Sequence, residues 1–275
     1  MNIFIGIVRF IGIFTLVYAL ILFGIVSFQR RLLFQATPFR HREPRAAPSL
    51  ELSHFLLTTA DGEILDAIWL SSVNAEAAAI LYLHGNATNL RSRESRLKAL
   101  ADLGFSILAI DWRGYGLSTG TPSEDGLLLD AEAAYQWLVQ RIDPSRLVVL
   151  AESIATAIGV KLSAEHRVRA LILEAPYFSA VDLAQKYLPF LPVRAVMRDP
   201  LRSDLWIRNI HTNLLIQHGK QDRLIPFSQA ERLFEIAPEP KRMIGYPLGH
   251  HDDLPEKHNS YRDLKEFIIE CVSAP

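Results

Sequence analysis

The longest unbroken apolar pattern in the chain runs from Phe10 to Phe28, 19 residues without a charged side chain. As a helix it spans about 28 Å, close to the roughly 30 Å hydrocarbon core of a bilayer. It is too long for the apolar core of an ordinary signal peptide. No small-residue cleavage pattern follows, because the chain continues Ser27-Phe28-Gln29-Arg30-Arg31. The pattern predicts an uncleaved single-pass anchor within residues 1–35. Leu32, Leu33 and Phe34 then belong either in the membrane interface or on the domain that follows. Residues 36–50, with Pro38, Pro44 and Pro48, read as a linker.

Short β-type runs follow at about 53–59, 64–70, 78–83, 105–110, 146–150, 169–174, 213–218 and 241–246. The middle runs are continuously apolar, as strands covered on both faces are. Helical patterns fall at about 91–103, 123–140, 154–165, 227–236 and 256–271, and Pro122-Ser123 is a start signal for the second. The alternation predicts an α/β domain over 51–275, with a mainly parallel sheet and helices on both faces. The first two strands have no helix between them and should form an antiparallel hairpin at one edge.

Composition narrows the function. The chain has 275 residues, 49% hydrophobic and 21% charged, which excludes a disordered polymer. The net charge of -1 excludes nucleic-acid binding by bulk positive charge. That charge is unevenly spread: residues 1–50 carry six Arg and one acid, and the rest is net acidic. Five of those Arg follow the apolar run and only Arg9 precedes it, so the positive-inside rule places the large domain in the cytoplasm. The single cysteine, Cys271, excludes a disulfide framework and is expected to be an inert packed thiol. No Cys/His cluster has zinc spacing, and Asp252 and Asp253 beside His251 lack a third ligand. No Gly-rich phosphate motif appears. Neither metal nor cofactor is expected.

In open α/β sheets the chemistry collects at the carboxyl ends of the strands. The run at 146–150 leads through Ala151-Glu152 to Ser153, with a helix after it. A Ser on a sharp strand-to-helix turn projects its hydroxyl, beside free backbone N–H groups. The run at 213–218 leads to Asp222, and the last run leads to Gly249-His250-His251-Asp252-Asp253. The order Ser153, Asp222, His251 is a nucleophile, orienter and base in the chain order of the α/β-hydrolase triad. Serine needs the imidazole to take its proton, and the carboxylate fixes the tautomer and stabilises the imidazolium. The His84-Gly85 turn after the 78–83 run suits an oxyanion loop. Its expected donors are the backbone N–H groups of Asn86 and of Ile154. His84 is expected to brace that loop, and Glu152 to be solvated or paired.

With these stretches in view, the chain resembles the α/β-hydrolases, in particular the membrane-anchored group related to the Bem46 proteins and the serine aminopeptidase-like S33 hydrolases. The matching segments are Leu83-His84-Gly85-Asn86-Ala87, Asp111 to Ser118, Thr121-Pro122-Ser123-Glu124, His218-Gly219 to Asp222 with Ile225-Pro226, and His251-Asp252-Asp253, within residues 30–270. The resemblance implies Ser153, Asp222 and His251 as the triad and favours His251 over His250. It implies that Asp111–Ser118 shapes the site without doing chemistry. One departure stands out: Ala151 and Ala155 occupy both glycine positions of the family's Gly-x-Ser-x-Gly turn. Each adds a methyl where overpacking costs about 1–3 kcal/mol unless neighbours shrink.

Between the 169–174 and 213–218 runs, a short lid of one or two helices is expected over about 176–211, with an apolar inner face that includes Tyr177, Phe178, Tyr187 and Phe190. A lid this apolar, beside a Ser nucleophile and a membrane anchor, points to a small-molecule or lipid acyl substrate. The expected function is a membrane-anchored serine hydrolase of esters or thioesters. A peptidase of the same fold and a catalytically impaired scaffold are the competing readings.

Overall fold

The computed structural model describes residues 2–37, 53–87, 89–254 and 258–273. The expected linker at 36–50 falls outside the described residues from residue 38 onward. The chain opens with helix α1 (Asn2–Leu33). Strands β1 (Ser53–Thr58), β2 (Ile64–Leu70) and β3 (Ala79–Leu83) follow, then helix α2 (Glu94–Asp102), β4 (Ser106–Ile110) and α3 (Glu124–Val139). Strand β5 (Leu147–Glu152) leads into α4 (Thr156–Glu165), then β6 (Ala170–Glu174). Three short helices, α5 (Ala180–Tyr187), α6 (Val193–Val196) and α7 (Ser203–Trp206), form the excursion before β7 (Asn213–Gly219). Helix α8 (Phe227–Ile236), β8 (Lys241–Tyr246) and α9 (Ser260–Ser273) complete the order.

The eight strands form one sheet in the order β1-β2-β4-β3-β5-β6-β7-β8. β1 and β2 are an antiparallel hairpin at one edge, β2 meets β4 antiparallel, and the remaining pairs are parallel. The continuous apolar runs at β3, β4, β5 and β6 are wholly buried because helices cover both faces. The two-residue period survives as a division between two cores. Leu81, Leu83, Val149 and Ala151 pack with α3 residues Leu127, Ala131, Ala134 and Leu138. Ile80, Tyr82, Val148 and Leu150 pack on the other face with α2 and α9 through Leu97, Leu100, Leu264 and Phe267.

Local chemistry explains the helix ends. Ser123 caps α3, its hydroxyl accepting from the Gly126 N–H at 3.1 Å, as the Pro-Ser pair predicts. The turn at 91–103 begins as a 3₁₀ segment, Leu90–Arg93, capped reciprocally by Asn89 and Ser92. The last helix starts at Ser260, later than the pattern alone places it. The excursion before β7 contains three short helices where one or two were expected, because Pro189, Pro192 and Pro200 cannot sit in a helix interior.

The end of α1 docks on the sheet domain. Phe34 is buried in the core beside Leu33, while Leu32 stays exposed, so the two alternatives for this segment divide residue by residue. Arg30 reaches the buried Asp199 through Nε at 2.8 Å and Nη2 at 3.2 Å. Truncation of the buried Phe34 ring, Phe34→Ala, should destabilise the folded domain by about 3–5 kcal/mol. Urea unfolding of the detergent-solubilised chain measures the loss, and an unchanged midpoint would show that the helix end is not part of the core.

Candidate active site

The parallel register places the carboxyl ends of β3, β5, β6 and β7 side by side: Leu83 faces Ala151, Glu152 faces Glu174, and Glu174 faces Gln217. Ser153 follows β5 directly with φ of 49°, the left-handed region that β-carbon crowding disfavours. A 3₁₀ turn, Ser153–Ala155, joins it to α4. The turn is tied by Thr156 Oγ1, which donates to the Ser153 carbonyl at 2.6 Å, and by Tyr177 Oη, which donates to the Ile154 carbonyl at 2.8 Å.

The structure brings Ser153, His251 and Asp222 together. His251 Nε2 lies 3.0 Å from Ser153 Oγ, and His251 Nδ1 lies 2.7 Å from Asp222 Oδ2. His250 is exposed and turned away, its Nδ1 3.2 Å from the Gln221 carbonyl. Asp222 Oδ1 accepts the backbone N–H groups of Leu224 and Ile225, each at 2.8 Å. Burial alone would raise the Asp222 pKa, but hydrogen bonds from His218, His251 and Ile225 hold it well below the usual carboxylate range. Burial opposes the charged form of His251, yet the Asp222 hydrogen bond and charge outweigh it and raise the imidazole pKa.

Two glycines bring the Asp222 and His251 loops into contact. A β-carbon on Gly219 would collide with the backbone of Gly249 and His250. The Gln221 N–H also donates to the Gly249 carbonyl at 2.9 Å. On the opposite side Gly85 lies against the serine; a β-carbon there would be 3.4 Å from Ser153 Cβ. Asn86 and Ile154, the residues expected to offer oxyanion donors, line the same cavity as Ser153 and His251. His84 braces the loop from below, with Nδ1 2.7 Å from the Gly85 carbonyl and Nε2 3.3 Å from Asp111 Oδ1.

Ala151, the first alanine of the turn, finds its space from a residue that the motif does not include. A β-carbon on Gly159, one turn into α4, would lie only 2.8 Å from Ala151 Cβ. Gly159 therefore accommodates the Ala151 methyl and keeps α4 close to β5.

The cavity has a volume of about 640 Å³. One part of its wall is apolar, including Leu33, Leu183, Tyr187, Leu224 and Ile225. Another is a buried ion network. Glu152 is paired, with Oε2 3.0 Å from Arg93 Nη2 and Oε1 2.7 Å from Arg96 Nε, and Arg96 also reaches Glu174. Burial raises both carboxyl pKa values, but the two guanidiniums keep Glu152 low, while Glu174 beside Glu152 stays raised. Among the described residues no group of three or more His, Cys, Asp or Glu could hold a metal ion.

Two side-chain roles escaped the sequence reading. His218 is fully buried with Nε2 3.3 Å from Asp222 Oδ2, so the carboxylate has a second imidazole behind it. The Asn86 side chain is a junction: Nδ2 donates to the Leu33 carbonyl at 2.6 Å, and Oδ1 accepts from the Gln35 N–H and Tyr115 Oη. The signal for His218 was its place at the end of a strand, next to the glycine of the Asp222 loop. Nothing in the sequence links Asn86 to Leu33.

Gly159→Ala should destabilise the domain by about 1–3 kcal/mol through the clash with Ala151. Ala151→Gly in the same chain should restore most of that loss. A double-mutant cycle by thermal unfolding measures the coupling, and additive effects would contradict the proposed fit.

Comparison with known proteins agrees with this architecture. Residues 78–209 match a family model described as the alpha/beta hydrolase fold. The chain is 34% identical over 266 residues to Rv2307c of Mycobacterium tuberculosis, covering 93% of this chain and 94% of that protein. It is 32% identical over 210 residues to the lysophosphatidylserine lipase ABHD12 of Danio rerio, covering 68% of this chain and 55% of that protein. Among solved structures it superposes on the Pyrococcus furiosus esterase Pf2001 with TM-score 0.67 and 18% identity, over 87% of this chain and 99% of that one. A sheet in this order, a serine on its left-handed turn and relatives matched over nearly the whole chain make this protein a member of the α/β-hydrolase family, on its Bem46-like branch.

Proposed function

We propose that the protein is a membrane-anchored serine hydrolase that cleaves an ester or thioester of an acyl substrate through an acyl-enzyme. The observation that carries this reading is the continuous relay from Ser153 Oγ to His251 at 3.0 Å and from His251 to Asp222 at 2.7 Å. Ser153 attacks the acyl carbonyl while His251 Nε2 takes its proton. Asp222 holds the other ring N–H and stabilises the imidazolium. The backbone N–H groups of Asn86 and Ile154 receive the oxyanion. His251 then protonates the departing alcohol or thiol, and water repeats the sequence to release the acid.

The apolar wall of the cavity suits an acyl chain, and the Arg93–Glu152–Arg96–Glu174 network suits a polar substituent. A relative named as a lysophosphatidylserine lipase supports a lipid ester over a peptide. Residues 1–35 form the anchor: an 18-residue stretch within the span Phe4–Leu33 has mean hydropathy 2.5. Residues 36–50 are the linker, 51–275 the hydrolase domain, and about 176–211 its lid. Lys/Arg asymmetry around the span puts the domain in the cytoplasm. The impaired-scaffold reading rests on the two alanines of the turn, and the room that Gly159 leaves for the Ala151 methyl weakens it.

A fluorophosphonate probe tests the nucleophile. The wild-type protein in detergent should be labelled, Ser153→Ala and His251→Ala should abolish labelling, and His250→Ala should retain it. Absence of labelling on folded wild type would overturn the reading. Ester turnover should fall by about 10⁴-fold or more in either triad variant.

The pH profile has a defined sign. His251 must be neutral to accept a proton, and its pKa is raised above 6.5. The rate kcat/KM should therefore rise with pH through a midpoint above 6.5. Asp222→Asn should move that midpoint down while lowering the rate. A midpoint unmoved by this change would dissociate Asp222 from His251.

A further inference from the structure

Helix α1 is fully exposed from Phe4 to Val17 and then changes character. From Tyr18 onward one face, Tyr18, Leu22, Ile25, Gln29 and Leu33, is half-buried. Two of these residues bond to the excursion before β7. Tyr18 Oη donates to the Phe190 carbonyl at 2.8 Å. Gln29 Nε2 donates to the Val196 carbonyl at 3.2 Å, and Gln29 Oε1 accepts from the Arg198 N–H at 2.7 Å. The excursion thus runs parallel to α1, with Arg198 near the helix end and Phe190 about three turns back toward the N-terminus.

The length of the bare helix fixes where Phe190 lies relative to a bilayer. Phe4–Val17 amounts to about 21 Å of helix, short of a roughly 30 Å hydrocarbon core that needs about 20 residues. Whichever 20 residues between Phe4 and Phe28 fill that core, Tyr18 lies at least about 7 Å inside it. The Phe190 backbone, bonded to Tyr18, lies at the same depth. Its ring is 88% exposed and Leu188 is 40% exposed, which is unfavourable in water and suitable in lipid.

Most of the backbone there also meets the demand that hydrocarbon imposes, that polar groups be satisfied within the protein, the Phe190 N–H being an exception. Pro189 and Pro192 have no N–H. The Leu188 N–H donates to Ala184, the Leu191 N–H to Leu188 and the Val193 N–H to Leu191. The Gln185 side chain donates to the carbonyls of Leu188 and Leu191, and Tyr18 serves that of Phe190. Around this apolar tip Lys186, Arg194 and Arg198 are exposed, Arg194 lying 3.6 Å from Asp182 Oδ1, and no acid occurs from Leu183 to Arg198. Exposed Arg31 lies on the last turn of α1. Cations flanking an apolar tip match anionic headgroups flanking a hydrocarbon core.

We infer that Leu188–Pro192 is a membrane-inserted wedge, entering the same leaflet as the C-terminal half of α1, and that its partner is the lipid bilayer. The inference rests on the reading of α1 as a membrane span and goes beyond it, because a tethered domain need not insert its lid. It gives the cavity a lipid-side wall: Leu32 and Leu33 of α1 and Ala184 and Tyr187 of the excursion all line it. An acyl chain then passes from the leaflet toward Ser153 without crossing bulk water.

Depth-dependent quenching tests this without reference to activity. Single cysteines at Phe190→Cys, Leu188→Cys, Phe14→Cys and Val73→Cys, in a full-length Cys271→Ala background, carry an NBD fluorophore in phosphatidylcholine/phosphatidylglycerol vesicles with brominated acyl chains. Positions 14, 188 and 190 should each lose at least half of their emission to brominated lipid, and position 73 should not. Quenching at 14 with none at 188 or 190 would overturn the wedge and leave the anchor standing. A blue-shifted but unquenched label at 190 would also overturn it, because a protein surface would then cover the tip. Loss of quenching at 14 as well would remove the anchor itself.

Discussion

The site depends on a serine held in a conformation that it does not prefer. A non-glycine residue with φ of 49° costs on the order of 1–3 kcal/mol and persists only where its surroundings over-determine it. Here β5 enters the turn between two parallel neighbours and wholly buried, so the strand cannot twist to relieve the angle. Helix α4 leaves the turn held against β5 at Ala151 and Gly159. Bonds from Thr156 and Tyr177 tie the two carbonyls between them. The hydroxyl is thereby fixed at the edge of the sheet, where two other loops supply the imidazole and carboxylate.

The same edge is joined to the N-terminal helix. Asn86 follows the Gly85 that lies against Ser153, and its amide holds the backbone at Leu33 and Gln35. Phe34 between them is core. Arg30 is clamped on Asp199, whose carboxylate also accepts the Glu124 N–H at the start of α3. The helix, the serine and the excursion before β7 are consequently one mechanical unit. A displacement of the helix end would be felt at the loop beside Ser153.

Buried charge on the other side of the cavity serves as a rigid counterpart. Arg93 and Arg96 are matched by Glu152 and Glu174, the last residues of two adjacent strands. Adjacent parallel strands in register bring those carboxylates together, and like charges at that spacing require the guanidiniums between them. Glu152 immediately precedes Ser153, so the network also steadies the approach to the turn.

Much of this was legible in the sequence because it is local or periodic. The apolar run of α1, the buried strands and the helix start at Ser123 each follow from side-chain pattern within one segment. Ser153, Asp222 and His251 were identifiable because each follows a strand, and a parallel sheet gathers strand ends at one edge. Other features depend on contacts between distant segments, and no local pattern encodes those. The space for Ala151 is made by Gly159, the Asp222 loop meets the His251 loop at Gly219 and Gly249, and His218 backs Asp222. The choice between His250 and His251 turned on which imidazole the loop aims at Ser153. The contact of Tyr18 with Phe190 spans 172 positions. Sequence alone determined the elements and the residue types at their ends. Only tertiary packing decided which of those ends meet, because that depends on the volume and direction of side chains far apart in the chain.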